Sequence, residues 1–169
     1  MTRVLYVCTA NIARSAYAEV ITARGGFEDL EVSSAGTHGW VDHPMYAHMA
    51  EQLRRRGVDP TGFRSRRLAP AMVDEADLVL AMSAAHRSFV LQERPGAVNR
   101  TFTLGQLAGA LDAVPRDVRG PDAVAAARRL RATASPADDV EDPYGRGPEA
   151  AATVADRLDG LLDRILLRL

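Results

Sequence analysis

The run CTANIARS, Cys8 to Ser15, contains the residues best placed to do chemistry. Cys8 is the only cysteine of the chain, Arg14 follows six positions later and Ser15 comes next. A thiol is a nucleophile only as its thiolate. A loop that runs into a helix N-terminus offers unpaired backbone N–H groups and the positive end of the helix dipole. Both stabilise a thiolate, and both also bind an anion such as phosphate. Arg14, near the start of the helix, presents a planar fork that can hold two phosphate oxygens at once. The Ser15 hydroxyl can donate a hydrogen bond back to the sulfur and favour its charged form. Thr9, Ala10 and Ala13 are small and let the backbone curl around an anion. A lone cysteine at a strand end is most often a small core hydrophobe. The spacing Cys-x5-Arg-Ser, after an apolar strand and before a helix, is what separates Cys8 from that reading.

The elements needed to position this loop are legible on either side of it. Val4 to Val7 is a short run of β-formers and reads as a buried strand, which puts Cys8 at its C-terminal end, where open parallel sheets bind ligands. Ser15 to Arg24 reads as a helix, with Tyr17, Val20, Ile21 and Arg24 at helical spacing and Gly25-Gly26 closing it. LEVSSAG is a second strand, followed by a loop through Gly36 and Gly39. Pro44 to Arg56 reads as a helix entered at a proline and closed at Gly57. The continuous apolar run Ala76 to Met82 is a strand covered on both faces. Ser83 caps a helix that ends before Pro95, and NRTFTL is a short fourth strand. Strands alternating with helices imply an α/β domain with a parallel sheet. Between Gly105 and Asp139 the pattern weakens at Pro115, Gly120, Pro121 and Pro136, with a helix expected over DAVAAARRLRATA, and the stretch reads as a variable insertion or lid around 105–139. Leu158, Leu161, Leu162, Ile165, Leu166 and Leu169 share one face of a last helix that packs on the sheet.

The chain has 169 residues, 47% of them hydrophobic and 25% charged, which suits one domain over 1–169. The formal net charge of −1 supplies no field that would draw it to nucleic acid or a membrane. All 21 basic residues are arginine, which multiplies planar donors suited to phosphate and carboxylate. The N-terminus does not read as a signal peptide, and no apolar run approaches the roughly 20 residues of a membrane span. One cysteine excludes an internal disulfide and a cysteine-cluster metal site, and a reducing, cytoplasmic location is the simplest fit, with secretion by a route lacking a signal peptide left open. His38, His43 and His48 form no metal-ligand pattern and read as rim or surface residues.

CTANIARS resembles the phosphate-binding loop of the low-molecular-weight protein tyrosine phosphatases. SSAGTHGW is similar to the family's second strand and substrate-flanking loop, ADLVLAM to its central strand and EDPYG to its catalytic-acid loop. The order and rough spacing agree along almost the whole chain. The resemblance implies a single α/β domain with a four-stranded parallel sheet in the order 2-1-3-4 and helices on both faces. It implies a nucleophile at Cys8, a clamp at Arg14, support from Ser15, and phosphate binding by Thr9, Ala10, Asn11, Ile12 and Ala13. The implied reaction is hydrolysis of a phosphotyrosine protein or aryl phosphate through a phosphocysteine, without cofactor or metal, by a monomer or weak dimer. The residues themselves leave the general acid open among Asp138, Asp139, Glu141 and Asp142. Pro143 favours Asp142, because the residue before a proline is held extended, and the family's Asp-Pro-Tyr motif places the acid there. Trp40 and Tyr144 match the aromatic walls of the family's pocket.

The chain departs from the family at several positions. Ala10 stands where glycine is common, Ala16 replaces a frequent proline, and Phe63 falls where many relatives have a histidine that supports the loop asparagine, so Asn11 needs another brace, with Ser34 the candidate. The tandem tyrosines are reduced to Tyr144 and Gly145. Thioredoxin-coupled arsenate reductases share the loop but use two further cysteines that this chain lacks. Protein arginine phosphatases tend to carry threonine where Ile12 stands, and Ile12 suits an aromatic substrate better. A phosphate- or partner-binding pseudo-phosphatase is the non-enzymatic alternative. Ala13 replaces the second loop cysteine that can protect the nucleophile as a disulfide, so Cys8 is expected to pass readily to irreversible oxidation states. Activity lost to strong peroxide treatment should therefore not return with thiol, and full recovery would refute this.

Overall fold

The alternation along the first strand sets the layering of the molecule. In β1 (Thr2–Cys8), Val4, Tyr6 and Cys8 point into a large hydrophobic cluster, whereas Leu5 and Val7 point into a smaller one on the other face. The computed structural model describes residues 1–169. After β1 come α1 (Arg14–Arg24), β2 (Leu30–Gly36), α2 (Ala47–Arg55), α3 (Pro70–Glu75), β3 (Leu78–Ala81), α4 (Ala84–Glu93), β4 (Thr101–Thr103), α5 (Leu104–Asp112), α6 (Gly120–Leu130) and α7 (Gly147–Leu166). All strand pairs are parallel, in the order β2-β1-β3-β4. Helices α1, α2, α5, α6 and α7 contribute to the large cluster, and α3 and α4 cover the opposite face through Val73 and Val90.

This order makes β1 the topological switch point. The chain leaves β1 toward β2 on one side and later returns to β3 on the other, which opens a crevice at the carboxyl ends of β1 and β3. Cys8 ends β1 opposite Gly36, and Val7 lies opposite Ala81. α1 begins with Ala13 as its N-cap and has no side-chain capping bond. Alanine is a poor N-cap, so the first N–H groups of α1 remain free for a ligand.

Several boundaries differ from those read in the sequence. α2 begins at Ala47 rather than Pro44, because Tyr46 is extended (φ −50°, ψ 126°) and gives its N–H to Ile12 O instead of to a helical turn. α3 and α5 have no counterpart in the sequence reading. α5 contains Gly105 and Gly109, which weaken a helical pattern, yet Gly105 is required because a Cβ there would lie 2.5 Å from Asp138 O. Thr103 caps α5 by accepting from the Gln106 N–H. α6 stops at Leu130. The last helix starts at Gly147, with Pro148 in its first turn, well before the leucine pattern begins.

The segment 105–139 does not form a lid. α5 is part of the core through Leu107, Ala108 and Leu111, all at most 1% exposed, and α6 adds Ala123 and Ala127. α5 packs on α7, α6 and β4, and no residue of the segment lines the crevice above Cys8. No helix is long and apolar enough to cross a membrane.

Candidate active site

Four carbonyl groups turn the Cys8 loop inside out. Cys8 O accepts from Thr37 N–H, Thr9 O from His38 N–H, Ala10 O from Trp40 N–H and Ile12 O from Tyr46 N–H, at 2.7–3.1 Å. In a trans peptide the C=O and the following N–H point in opposite directions. Tying the carbonyls to the segment after β2 therefore aims the N–H groups of Thr9, Ala10, Asn11 and Ala13 inward. None of the backbone N–H groups from Thr9 to Arg14 donates to another protein group, which makes the loop an anion-binding nest. The close approach depends on Gly36, where a Cβ would sit 2.4 Å from Thr9 O.

The loop closes through Asn11, a non-glycine residue at φ 59° that is fully buried. Asparagine tolerates this left-handed region better than most residues. The Arg66 N–H donates to Asn11 Oδ1 at 2.8 Å, which fixes the amide orientation, so Nδ2 donates to Ser34 Oγ at 2.7 Å and to Ser15 Oγ at 2.9 Å. The Ser34 hydroxyl donates to Glu19, whose other oxygen accepts from Arg66 at 2.9 Å. Burial pushes the Glu19 carboxyl up, with Ser34 and Arg66 opposing the shift. Ser15, having accepted from Asn11, turns its proton to Cys8 Sγ, 2.9 Å away. The brace expected from Ser34 is present. Phe63 is buried in the core and takes no part. At Ala10 the backbone is not at positive φ, so its Cβ is accommodated without strain.

Arg14 is 6% exposed and bridges two parts of the chain. It donates to Val140 O at 3.0 Å and to Asp142 Oδ2 at 2.9 Å. Its Nε–H is buried without a protein partner, and a buried cation with a spare donor suits an anionic ligand. Of the acidic cluster, Asp142 is the carboxylate that reaches the pocket. Asp138 caps the Ser135 N–H, Asp139 accepts from Ala84 N–H, and Glu141 pairs with Arg146. The cavity of about 240 Å³ is lined by Cys8, Thr9, Ala10, Ile12, Ala13, Arg14, His38, Trp40, Asp142 and Tyr144. Trp40 and Tyr144 are 44% and 51% exposed, so neither is a core residue, and their rings meet edge to face at 6.0 Å. Tyr46 supports this wall, with its ring 5.0 Å from that of Tyr144 and its hydroxyl accepting from Gly145 N–H. Gly145 adopts φ 73°, a conformation that a second tyrosine would adopt only with strain.

Ser15 and Asn11 lie behind the pocket rather than in its lining. Sequence reasoning missed Glu19, Arg66, Tyr46 and His86. His86 lies against Thr9 Oγ1 at 2.8 Å, is 7% exposed, and no local sequence pattern marks it. No group of three or more His, Cys, Asp or Glu side chains is placed to hold a metal ion.

Two outcomes follow from these bonds. Asn11→Ala should slow iodoacetamide alkylation of Cys8, the only thiol, by about tenfold at neutral pH through loss of an oriented Ser15 hydroxyl; an unchanged rate would show that the chain of donors does not act on the sulfur. Burial, helped by Arg14, holds the His86 imidazole down to about 4. A depressed basic group contributes stability above its unfolded value of about 6.5 that is lost as the pH falls toward 4, on the order of 3 kcal/mol. Urea unfolding across that window should show a steeper acid loss in the wild type than in His86→Phe, and identical slopes would contradict it.

The family described as low molecular weight phosphotyrosine protein phosphatase matches residues 3–134, a span that ends before Asp142. A protein-arginine-phosphatase of Geobacillus stearothermophilus is 29% identical over 167 residues, 99% of this chain and 95% of that protein. The low molecular weight protein-tyrosine-phosphatase Etp of Escherichia coli is 37% identical over 103 residues, 61% of this chain and 69% of that protein. Among solved structures, the low molecular weight protein tyrosine phosphatase of T. tengcongensis superposes with a TM-score of 0.78 at 29% identity, covering 100% of both chains. The YwlE arginine phosphatase of Geobacillus stearothermophilus superposes with a TM-score of 0.79 at 28% identity, covering 99% of this chain and 91% of that one. A loop that turns its N–H groups on one cysteine, at the switch point of a 2-1-3-4 sheet, therefore belongs to a member of the low molecular weight phosphotyrosine protein phosphatase family.

Proposed function

We propose that the chain hydrolyses phosphate monoesters of proteins, phosphotyrosine foremost, through a phosphocysteine at Cys8. The observation that carries this reading is the set of unpartnered N–H groups from Thr9 to Arg14, with Arg14 Nε, in the loop that lines one pocket together with Cys8. The Cys8 thiolate attacks phosphorus in line with the leaving oxygen, forming the S–P bond as the P–O bond breaks. Asp142 protonates the departing oxygen. The loop N–H groups and Arg14 hold the equatorial oxygens, whose charge they stabilise without reorganising. Asp142, now ionised, takes a proton from water, the resulting nucleophile breaks the S–P bond, and Ser15 donates to the sulfur as it leaves. A phosphate dianion competes for the guanidinium that Asp142 holds at 2.9 Å, so substrate binding displaces the carboxylate, which takes a proton from solvent and then gives it to the leaving oxygen.

Ile12 supports an aryl substrate over a guanidino one. It lines the pocket with an apolar side chain and offers no hydroxyl to a phosphoarginine, whose N–H groups would be left unpaired. Trp40 and Tyr144 add aromatic surface at the mouth. The second reading, a protein arginine phosphatase, draws on the similarity over 99% of this chain to the Geobacillus stearothermophilus protein of that name. A free reactive thiol fits a reducing, cytoplasmic compartment.

Steady-state kinetics on phosphotyrosine and phosphoarginine peptides test both readings. The phosphotyrosine peptide should have the higher kcat/KM, and the reverse order would establish the second reading. Cys8→Ser should abolish turnover. Asp142→Ala should lower kcat by roughly 10²–10⁴-fold on phosphotyrosine and much less on an aryl ester with an acidic leaving group. Equal losses on both would remove Asp142 as the acid.

A further inference from the structure

His86 is a buried titratable side chain beside the pocket for which the mechanism has no use. It stands in the first turn of α4, on the sheet face opposite α1, and reaches over the end of β1 to the loop. Ser83 Oγ accepts from the His86 backbone N–H at 3.3 Å and lies 2.8 Å from Nδ1. A hydroxyl that already accepts a peptide proton has its own proton to give, and Nδ1 is positioned to receive it. A neutral imidazole carries one N–H, which then resides on Nε2 and points at Thr9 Oγ1, 2.8 Å away.

The ring is neutral at physiological pH. Burial holds it down to about 4, Arg14 and His38 act in the same direction, and Asp142 opposes them. Once Thr9 Oγ1 has accepted from Nε2–H, its own proton is free for another acceptor. Thr9 lines the cavity above Cys8. The opposite polarity would turn the Thr9 proton onto Nε2 and leave only lone pairs facing a phosphate oxygen, which repels it.

We propose that His86 is a positioning residue that accepts from Ser83 and donates to Thr9, so that the Thr9 hydroxyl becomes an additional donor to the bound phosphate. The helix that carries His86 is fixed to the segment that holds the clamp. Asp139 accepts from Ala84 N–H at 2.8 Å, Val140 N–H donates to Met82 O at 2.8 Å, and Val140 O accepts from Arg14. The first turn of α4, the acid segment and the guanidinium thus keep a common frame, and the Ser83–His86–Thr9 relay runs within it. The proposal rests on the phosphatase reading of the same pocket.

The test combines a spectroscopic signature with a binding measurement. In the full chain labelled with ¹⁵N-histidine, the His86 signals should report the Nε2–H tautomer; the Nδ1–H tautomer would overturn the proposal. Inorganic phosphate serves as the binding probe. Thr9→Val and His86→Phe should each weaken phosphate about tenfold, the size of one hydrogen bond to a charged group, and raise KM for an aryl phosphate more than they lower kcat. Thr9→Ser should recover most of the affinity that Thr9→Val loses. The double variant should be no weaker than the weaker single one, because both remove the same donor. Unchanged phosphate affinity in Thr9→Val, or losses that multiply to about a hundredfold in the double variant, would overturn it. A wild type that binds phosphate without turning over any phosphate ester would refute the phosphatase reading alone, and the tautomer and binding results would still decide the role of His86.

Discussion

The site depends on where the loop carbonyls go. A chain that folds N–H groups around a buried sulfur must send the matching C=O groups elsewhere, because an unpaired buried carbonyl is costly. Here they go to the backbone of Thr37, His38, Trp40 and Tyr46. That hand-off is possible only because β2 lies beside β1 in register, Cys8 opposite Gly36, and because Gly36 carries no Cβ to hold the two segments apart. The parallel sheet, the residue at 36 and the nest are parts of one geometric requirement.

A second dependence runs through side chains. Asn11 accepts the left-handed turn that completes the nest, and the same side chain orients the Ser15 proton toward the sulfur through a chain of donors that ends at Glu19 and Arg66. On the opposite side, Arg14 links the nest to the acid segment through Val140 and Asp142. Cys8, Arg14 and Asp142 therefore share one bonded framework although Asp142 lies more than a hundred residues beyond the other two in sequence. The aromatic mouth belongs to the same framework, since Tyr46 anchors the nest through its backbone and supports Tyr144 through its ring.

Much of this was legible from local pattern. Apolar runs located the strands, Ser83 marked the start of α4, and Cys-x5-Arg-Ser located the loop that brings Cys8, Arg14 and Ser15 together, because strand burial, capping and the turn into a helix N-terminus are short-range physics. Legibility failed where tertiary packing overrides propensity. α5 forms through glycines because Asp138 packs against position 105 and its leucines fill the core. Tyr46 stays extended because its N–H is used by the loop. Within 105–139, α5 is core and α6 adds Ala123 and Ala127, and the weak pattern reflects the small residues that fit between these helices.

The amino-acid order alone determined that one thiol, one guanidinium and one helix N-terminus would meet at the end of a strand, because those groups lie within a single strand-loop-helix unit. It also narrowed the acid to one short cluster. Pro143 and the Asp-Pro-Tyr resemblance favoured Asp142 within it, and the tertiary structure adds that this carboxylate meets Arg14 while its neighbours cap or pair elsewhere. Only the tertiary structure brought Glu19, Arg66 and His86 to the loop. Their contacts span distances along the chain that no local pattern encodes, and they form because folding leaves each buried polar group no partner except the one that the packed elements bring to it.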